Sequence, residues 1–180
     1  MIESDMDRWN RYFYRIASAV AGNSQCLSRQ IGAVLVRNKS IISTGYNGPA
    51  RGIPRCDSRT ITRNGSIIYT PHYDGECPRR VLGALSGQML DICVAAHAEV
   101  NCIANAARNG VNTFGSTMYM TCEIPCKDCM AVIINAGVSN LVVADIKFYD
   151  DQAKYEVDKS HMSVRDFYGN TYLRWKGLKV

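Results

Sequence analysis

Two short runs hold the residue types that metal-assisted hydrolysis needs: His97-Ala98-Glu99 and Pro125-Cys126-Lys127-Asp128-Cys129. They supply an imidazole, two thiols and a carboxylate. A structural zinc is normally closed by four protein ligands, whereas a catalytic zinc takes three and keeps one position open for water. His97, Cys126 and Cys129 make such a set of three. Water at the open position becomes acidic, and Glu99 is the group placed to take its proton. Taken alone, a Cys-x-x-Cys pair also suits a redox couple, half of a structural zinc site or core packing. The carboxylate separates these readings, because a closed site has no use for a proton carrier.

The elements that must position these groups follow from the spacing. Two cysteines three apart share one side of a helix's first turn. Pro125 fits at or just before that turn, where its missing N–H is not needed. The positive end of the helix dipole there favours thiolates. The run Met130 to Ala136 is apolar and stops at Gly137, which predicts a helix over Cys126–Ala136 with a glycine cap. His97 opens a second helix, expected over Ala98–Asn109 and ended by Gly110. On a regular helix, residues two apart point in nearly opposite directions. His97 and Glu99 therefore serve one centre only if they straddle the start of that helix.

The remaining chain supports an ordinary soluble enzyme. It has 180 residues, 47% of them hydrophobic, which suits one domain with a substantial core and excludes a mainly disordered protein. Ile2-Glu3-Ser4-Asp5 is not an apolar leader, and no stretch is long enough to span a membrane, so the expected setting is cytoplasmic, without membrane partners. There, eight cysteines are metal ligands and core thiols before they are disulfides. A net charge of +5 suits anionic small molecules and is too modest to argue for nucleic acid.

Along the chain, Met6 to Ala21 reads as an amphipathic helix with Trp9, Phe13, Ile16 and Val20 on one stripe. Gly32–Val36 and Ile41–Gly45 read as a hairpin turned at Arg37–Ser40. Ala50 to about Asp91 reads as an irregular, functional insertion in a single domain. Strands are expected at Thr117–Thr121 and Leu141–Ala144. The tail from Asp145 is polar and aromatic, with helix expected within Ser160 to Trp175. Strands alternating with helices after a hairpin imply an α/β layered sheet, part of it parallel.

Cys26, Cys56, Cys77 and Cys93 lie outside the first ligand set, each in or beside a loop. Together they suggest a closed zinc site that staples the insertion, with His72 as an alternative ligand. The plain alternative is that some are free cysteines. Cys102, within an apolar helix, and Cys122, at a strand end, read as core thiols.

With these residues in view, the chain resembles the deoxycytidylate (dCMP) deaminases from Gly32 to Asp145. The resemblance is carried by Ile31-Gly32-Ala33-Val34, Ser43-Thr44-Gly45-Tyr46-Asn47-Gly48, His97-Ala98-Glu99-Val100-Asn101, Asn105-Ala106-Ala107-Arg108-Asn109-Gly110 and Pro125-Cys126-Lys127-Asp128-Cys129. His-x-Glu followed by Pro-Cys-x-x-Cys is the signature of zinc deaminases acting on bases. The resemblance implies a cytidine-deaminase-like three-layer fold with a mixed five-stranded sheet between helices. It implies hydrolysis of dCMP to dUMP and ammonia, which supplies thymidylate synthesis. It also implies a homohexamer, activation by dCTP and inhibition by dTTP, each with Mg2+, and a second zinc that uses Cys26. By the same resemblance Asn47 holds the deoxyribose, Arg108 the 5′-phosphate, and Tyr149 borders the base. Arg29, Tyr46, Asn47 and Gly48 are the implied effector residues. For Asn47 a turn-forming role stands beside this one, for Arg108 a solvated helix end, and for Tyr149 a plain core or surface aromatic. Two neighbouring activities use the same chemistry: deamination of a nucleic-acid base, which wants an extended basic and aromatic groove, and a dCTP-preferring deaminase.

Overall fold

The computed structural model describes residues 5–71 and 75–174. Its elements in chain order are α1 (Asp5–Ala21), β1 (Gly32–Arg37), β2 (Ser40–Tyr46), β3 (Gly48–Pro49), β4 (Ile61–Arg63) and β5 (Ser66–Tyr69). There follow α2 (Pro78–Val81), β6 (Ala95–Ala96), α3 (Ala98–Arg108), β7 (Thr117–Met120), α4 (Lys127–Asn135), β8 (Asn140–Val143), α5 (Asp151–Lys159), β9 (Ser163–Asp166) and β10 (Thr171–Leu173).

Alternation along the strands explains the layers. Successive side chains point to opposite faces of a sheet. Val34, Val36, Tyr119 and Val142 meet Phe13 and Ala17 of α1 on one face. Ala33, Leu35, Met118, Met120, Leu141 and Val143 point the other way, onto α3, α4 and α5. With both faces covered, the strands read as nearly continuous apolar runs. The hairpin turns at Asn38 and Lys39, whose φ values of 51° and 59° suit the two-residue turn that matches strand twist. Among the described residues, no helix is long and apolar enough to cross a membrane.

The main sheet is mixed, as expected, but has six strands in the order β10-β9-β8-β7-β1-β2. The addition comes from the tail. Helix forms earlier than expected, at α5, because Asp150 caps it by accepting from the Ala153 N–H at 2.7 Å. The segment expected to hold helix forms β9, parallel to β8, and β10, antiparallel to β9. Val164 and Asp166 are buried while Ser163 and Arg165 are half-buried, a period of two that decides for strand. Trp175 lies outside the described residues.

The insertion also departs from the expectation of irregularity. It carries the β4–β5 hairpin, the short helix α2 and single 3-10 turns at Cys56–Ser58 and Leu90–Ile92. Ile61, Tyr69 and Ile92 give it a small core of its own. The hairpin turns on Asn64-Gly65, both left-handed, at φ 51° and 77°. Asn-Gly between apolar alternations is a strong hairpin signal, so this element was legible in the residues.

The approach of α3 to β2 places the functional site. Ala98, Cys102 and Ala106 present small side chains with no exposure, and Gly45 lies under them. A Cβ at Gly45 would stand 2.5 Å from the Ala98 carbonyl oxygen and 2.6 Å from Cys102 Cα. Three side chains then tie the helix down: Ser43 Oγ donates to the Cys102 carbonyl at 2.7 Å, Asn101 Nδ2 to that of Tyr46 and Asn105 Nδ2 to that of Thr44, both at 2.8 Å. Gly45→Ala should therefore cost about 3 kcal/mol, since backbone on both sides must move. Thermal unfolding should record this as a drop of roughly 6–12 °C. An unchanged Tm would mean that helix and strand are not so closely packed.

Candidate active site

Two helix starts converge past the carboxyl end of β7. His97 is the N-cap of α3, with extended backbone at φ −75° and ψ 156°. Glu99 lies one residue into the regular helix, so the pair straddles the boundary as the spacing requires. The strand β6 runs directly into His97 and pairs with β3, so Gly48–Pro49 holds the segment from which the imidazole projects. Cys126 is the N-cap of α4 and Cys129 lies in its first turn. Pro125 therefore precedes the cap. Asp150 accepts from the Lys127 N–H at 3.2 Å while capping α5, which joins the α4 start to the loop after β8.

The ligand atoms of His97, Cys126 and Cys129 all lie within 4.8 Å of one another. His97 Nδ1 stands 3.2 Å from Cys129 Sγ and 3.6 Å from Cys126 Sγ. Zinc with Zn–N and Zn–S bonds of usual length in a tetrahedron separates N and S by about 3.6 Å, so the donor set fits zinc in type and spacing. The electrostatics fit as well. A hydrogen bond from the Cys129 thiol, helped by His97, pushes Cys126 down to about 4, while the bond to Cys126 and burial push Cys129 up. The site thus concentrates a thiolate, a thiol and an imidazole around one point, and a dication displaces such a shared proton. His97 is raised by its bond to Cys126, against burial. Glu99 is 4% exposed, and burial pushes its carboxyl up, the direction that suits a group taking and returning a proton.

The site opens into a cavity of about 550 Å3, within the range of roughly 300–1,000 Å3 usual for small-molecule sites. His97, Glu99 and Cys126 line it, with Asn47, Arg29 and Tyr149 among the expected binding residues. Asn47 is mostly committed to structure. Its Oδ1 accepts from Ser24 Oγ and the Ile31 N–H, both at 2.8 Å, and its Nδ2 donates to the Arg29 carbonyl at 2.7 Å. The turn-forming role is the one these bonds serve, and the second Nδ2 hydrogen has no partner among the described residues. Arg29 pairs with Glu123 and holds that carboxyl below its usual range. Tyr149 sets its hydroxyl against Gly87, where a Cβ would collide with it, so it closes the cavity against the insertion.

The expected place of Arg108 needs correction. Arg108 does not reach this cavity. It lies at the far end of α3, roughly 16 Å along the axis from His97 at 1.5 Å per residue, in a separate pocket with Thr44, Arg51 and Asn105. Tyr46 and Gly48 lie in and beside the strands and are not among the cavity's lining residues. Cys26, Cys77 and Cys93 come near enough to Cys56 for their charge, after burial, to help push it up to about 11. Yet among the described residues only His97, Cys126 and Cys129 bring three ligand atoms within 4.8 Å. His72 lies outside the described residues. Cys102 and Cys122 are buried core thiols, as expected. The cavity adds what the sequence reading missed, Arg79 and Arg80 of the insertion. The only signal for them was a basic pair after Pro78.

Residues 7–145 match the family described as the cytidine and deoxycytidylate deaminase zinc-binding region. The chain belongs to the cytidine and deoxycytidylate deaminase family. A deoxycytidylate deaminase of Schizosaccharomyces pombe is 34% identical over 135 residues, 74% of this chain and 36% of that protein. The one from Enterobacteria phage T4 is 36% identical over 151 residues, 73% of this chain and 75% of that one. This family member thus spans about a third of the length of the fission yeast relative. Among solved structures, the dCMP deaminase of cyanophage S-TIM5 in complex with dCMP and dUMP aligns with a TM-score of 0.62 at 19% identity, covering 92% of this chain and 99% of that one. At that identity the likeness shows the cytidine-deaminase-like fold alone.

Proposed function

We propose that this protein hydrolyses dCMP to dUMP and ammonia with zinc held by His97, Cys126 and Cys129. The observation that carries this reading is one buried carboxylate, Glu99, beside a three-ligand cluster in the lining of a cavity of small-molecule size. Zinc bound there acts as a Lewis acid that makes water nucleophilic near neutral pH. Glu99 takes a proton from the attacking water and delivers it to N3 of the cytosine. Once C4 is tetrahedral, Glu99 takes the remaining proton of the new C4 hydroxyl and passes it to the amino group, so the C–N bond breaks, ammonia leaves and C4 regains a carbonyl. Asn47 has one N–H to orient the sugar. Curated deoxycytidylate deaminases among the relatives support the choice of substrate. The reading extends to a cytoplasmic homohexamer without nucleic-acid or membrane partners, with dCTP·Mg activating and dTTP·Mg inhibiting, and to a second zinc among Cys26, Cys56, Cys77 and Cys93 that staples the insertion.

One set of measurements tests it. Ammonia release should be fastest from dCMP among dCMP, dCTP, deoxycytidine, CMP and a single-stranded cytosine oligonucleotide. It should become sigmoidal in dCMP and shift in opposite senses with the two triphosphates. Preference for the oligonucleotide would replace the reading with base deamination of nucleic acid. Metal analysis of the same preparation should find two zinc ions per chain, and Cys56→Ser should lose one while keeping the catalytic ion. A single zinc in the wild type would remove the staple.

A further inference from the structure

The insertion places two arginines at the mouth of the cavity, and their geometry differs from that of an ordinary surface cation. Arg79 donates through Nε to the Gln88 carbonyl at 2.6 Å and through Nη2 to that of Leu85 at 3.3 Å. Arg80 donates through Nε to Ser28 Oγ at 3.1 Å and through Nη2 to the Ser28 carbonyl at 3.2 Å. Each guanidinium is therefore pinned along one edge to the frame of the cavity. The other edge, Nη1 with the remaining Nη2 hydrogen, has no carboxylate partner among the described residues. Arg29, the third arginine lining the cavity, differs here, because Glu123 neutralises it.

A planar fork with one edge fixed and the other unpaired matches two oxygens of a phosphate. Anchoring matters energetically, because much of the rotamer entropy that a free arginine loses on binding is already lost. The reacting ring must lie against Glu99 and His97, so a nucleotide's 5′ end extends away from them along the cavity that Arg79 and Arg80 also line. We propose that Arg79 and Arg80 form the 5′-phosphate subsite, and that the insertion is the element that selects a nucleoside monophosphate over a nucleoside. This inference rests on the deaminase reading for its ligand, and it moves the phosphate role from Arg108 to a different part of the chain.

The test compares ligands that differ only in the phosphate. Wild type and Arg79→Lys, Arg80→Lys and Arg108→Ala variants are assayed for ammonia release from dCMP and from deoxycytidine. Binding of dUMP and of deoxyuridine is measured by calorimetry on the same proteins. Lysine keeps the charge and loses the fork, so the field at the mouth is retained. Each lysine variant should lose about 10- to 100-fold in kcat/KM for dCMP and in dUMP affinity, as expected for hydrogen bonds to a charged group. Deoxycytidine turnover and deoxyuridine affinity should change less than about twofold, and Arg108→Ala should leave all four quantities unchanged. Equal losses for nucleotide and nucleoside would overturn the proposal by showing that the arginines only brace the insertion. A phosphate-specific loss confined to Arg108→Ala would overturn it in favour of an arginine from a neighbouring subunit. If no cytidine compound releases ammonia but dUMP binding still depends on Arg79 and Arg80, the deaminase reading fails while the subsite stands.

Discussion

Replacing Glu99 by Gln is expected to lower kcat for dCMP by about 10³- to 10⁴-fold, with zinc content and fold intact. Glu99 sits in the first turn of α3, 4% exposed and beside the cluster without being one of its three ligands. Glutamine preserves its shape and removes its ability to carry a proton. Burial already pushes this carboxyl up, so the neutral substitute also removes a charge that the fold holds at a cost. Thermal stability of Glu99→Gln should accordingly equal or exceed that of the wild type. Ammonia release in single-turnover conditions, with zinc counted per chain, decides the matter. Retention of more than a few per cent of kcat at full zinc would assign the proton transfer to another group.

Loss of a ligand should be comparably severe but differ in what is lost. Cys129 is 2% exposed in the first turn of α4. Its sulfur stands 3.2 Å from His97 Nδ1. In Cys129→Ser a hard hydroxyl replaces a thiolate at shorter reach, so the set of three soft or borderline donors is broken. Zinc affinity should fall by at least about a hundredfold, more than is typical for losing an outer partner of a ligand. Activity should fall with occupancy and return in part at high zinc. Dialysis of the wild type against a chelator should abolish turnover, and added zinc should restore it. Full occupancy and full rate in Cys129→Ser would place the reaction elsewhere in the cavity.

The two residues at the centre of these expectations were readable without coordinates, for a physical reason. The ligands and the proton carrier come from two helix starts, and a helix start is a local event. Pro125, Gly110 and Gly137 mark the boundaries, and a spacing of three or two across a first turn fixes which side chains share a side. Hydrophobic periodicity over β1, β2, β7 and β8 likewise determines a sheet covered on both faces. The Asn64-Gly65 hairpin was equally local, though hidden in a segment whose glycines, prolines and arginines suggested irregularity.

What only the tertiary structure decided depends on contacts between distant segments. Arg108 belongs to the same helix as His97 and Glu99, yet the length of that helix carries it to another pocket. Arg79 and Arg80 are remote in sequence from every ligand, yet the loop containing Leu85 and Gln88, together with Ser28 after α1, sets them at the cavity. The tail becomes strand because β8 offers an unpaired edge, and the backbone of Ser163–Asp166 satisfies it in parallel register. Sequence determines chemistry that one turn of helix can hold together. The surroundings of that chemistry, including what reads the far end of a substrate, are decided by which loop packs across the mouth, and no local periodicity encodes that.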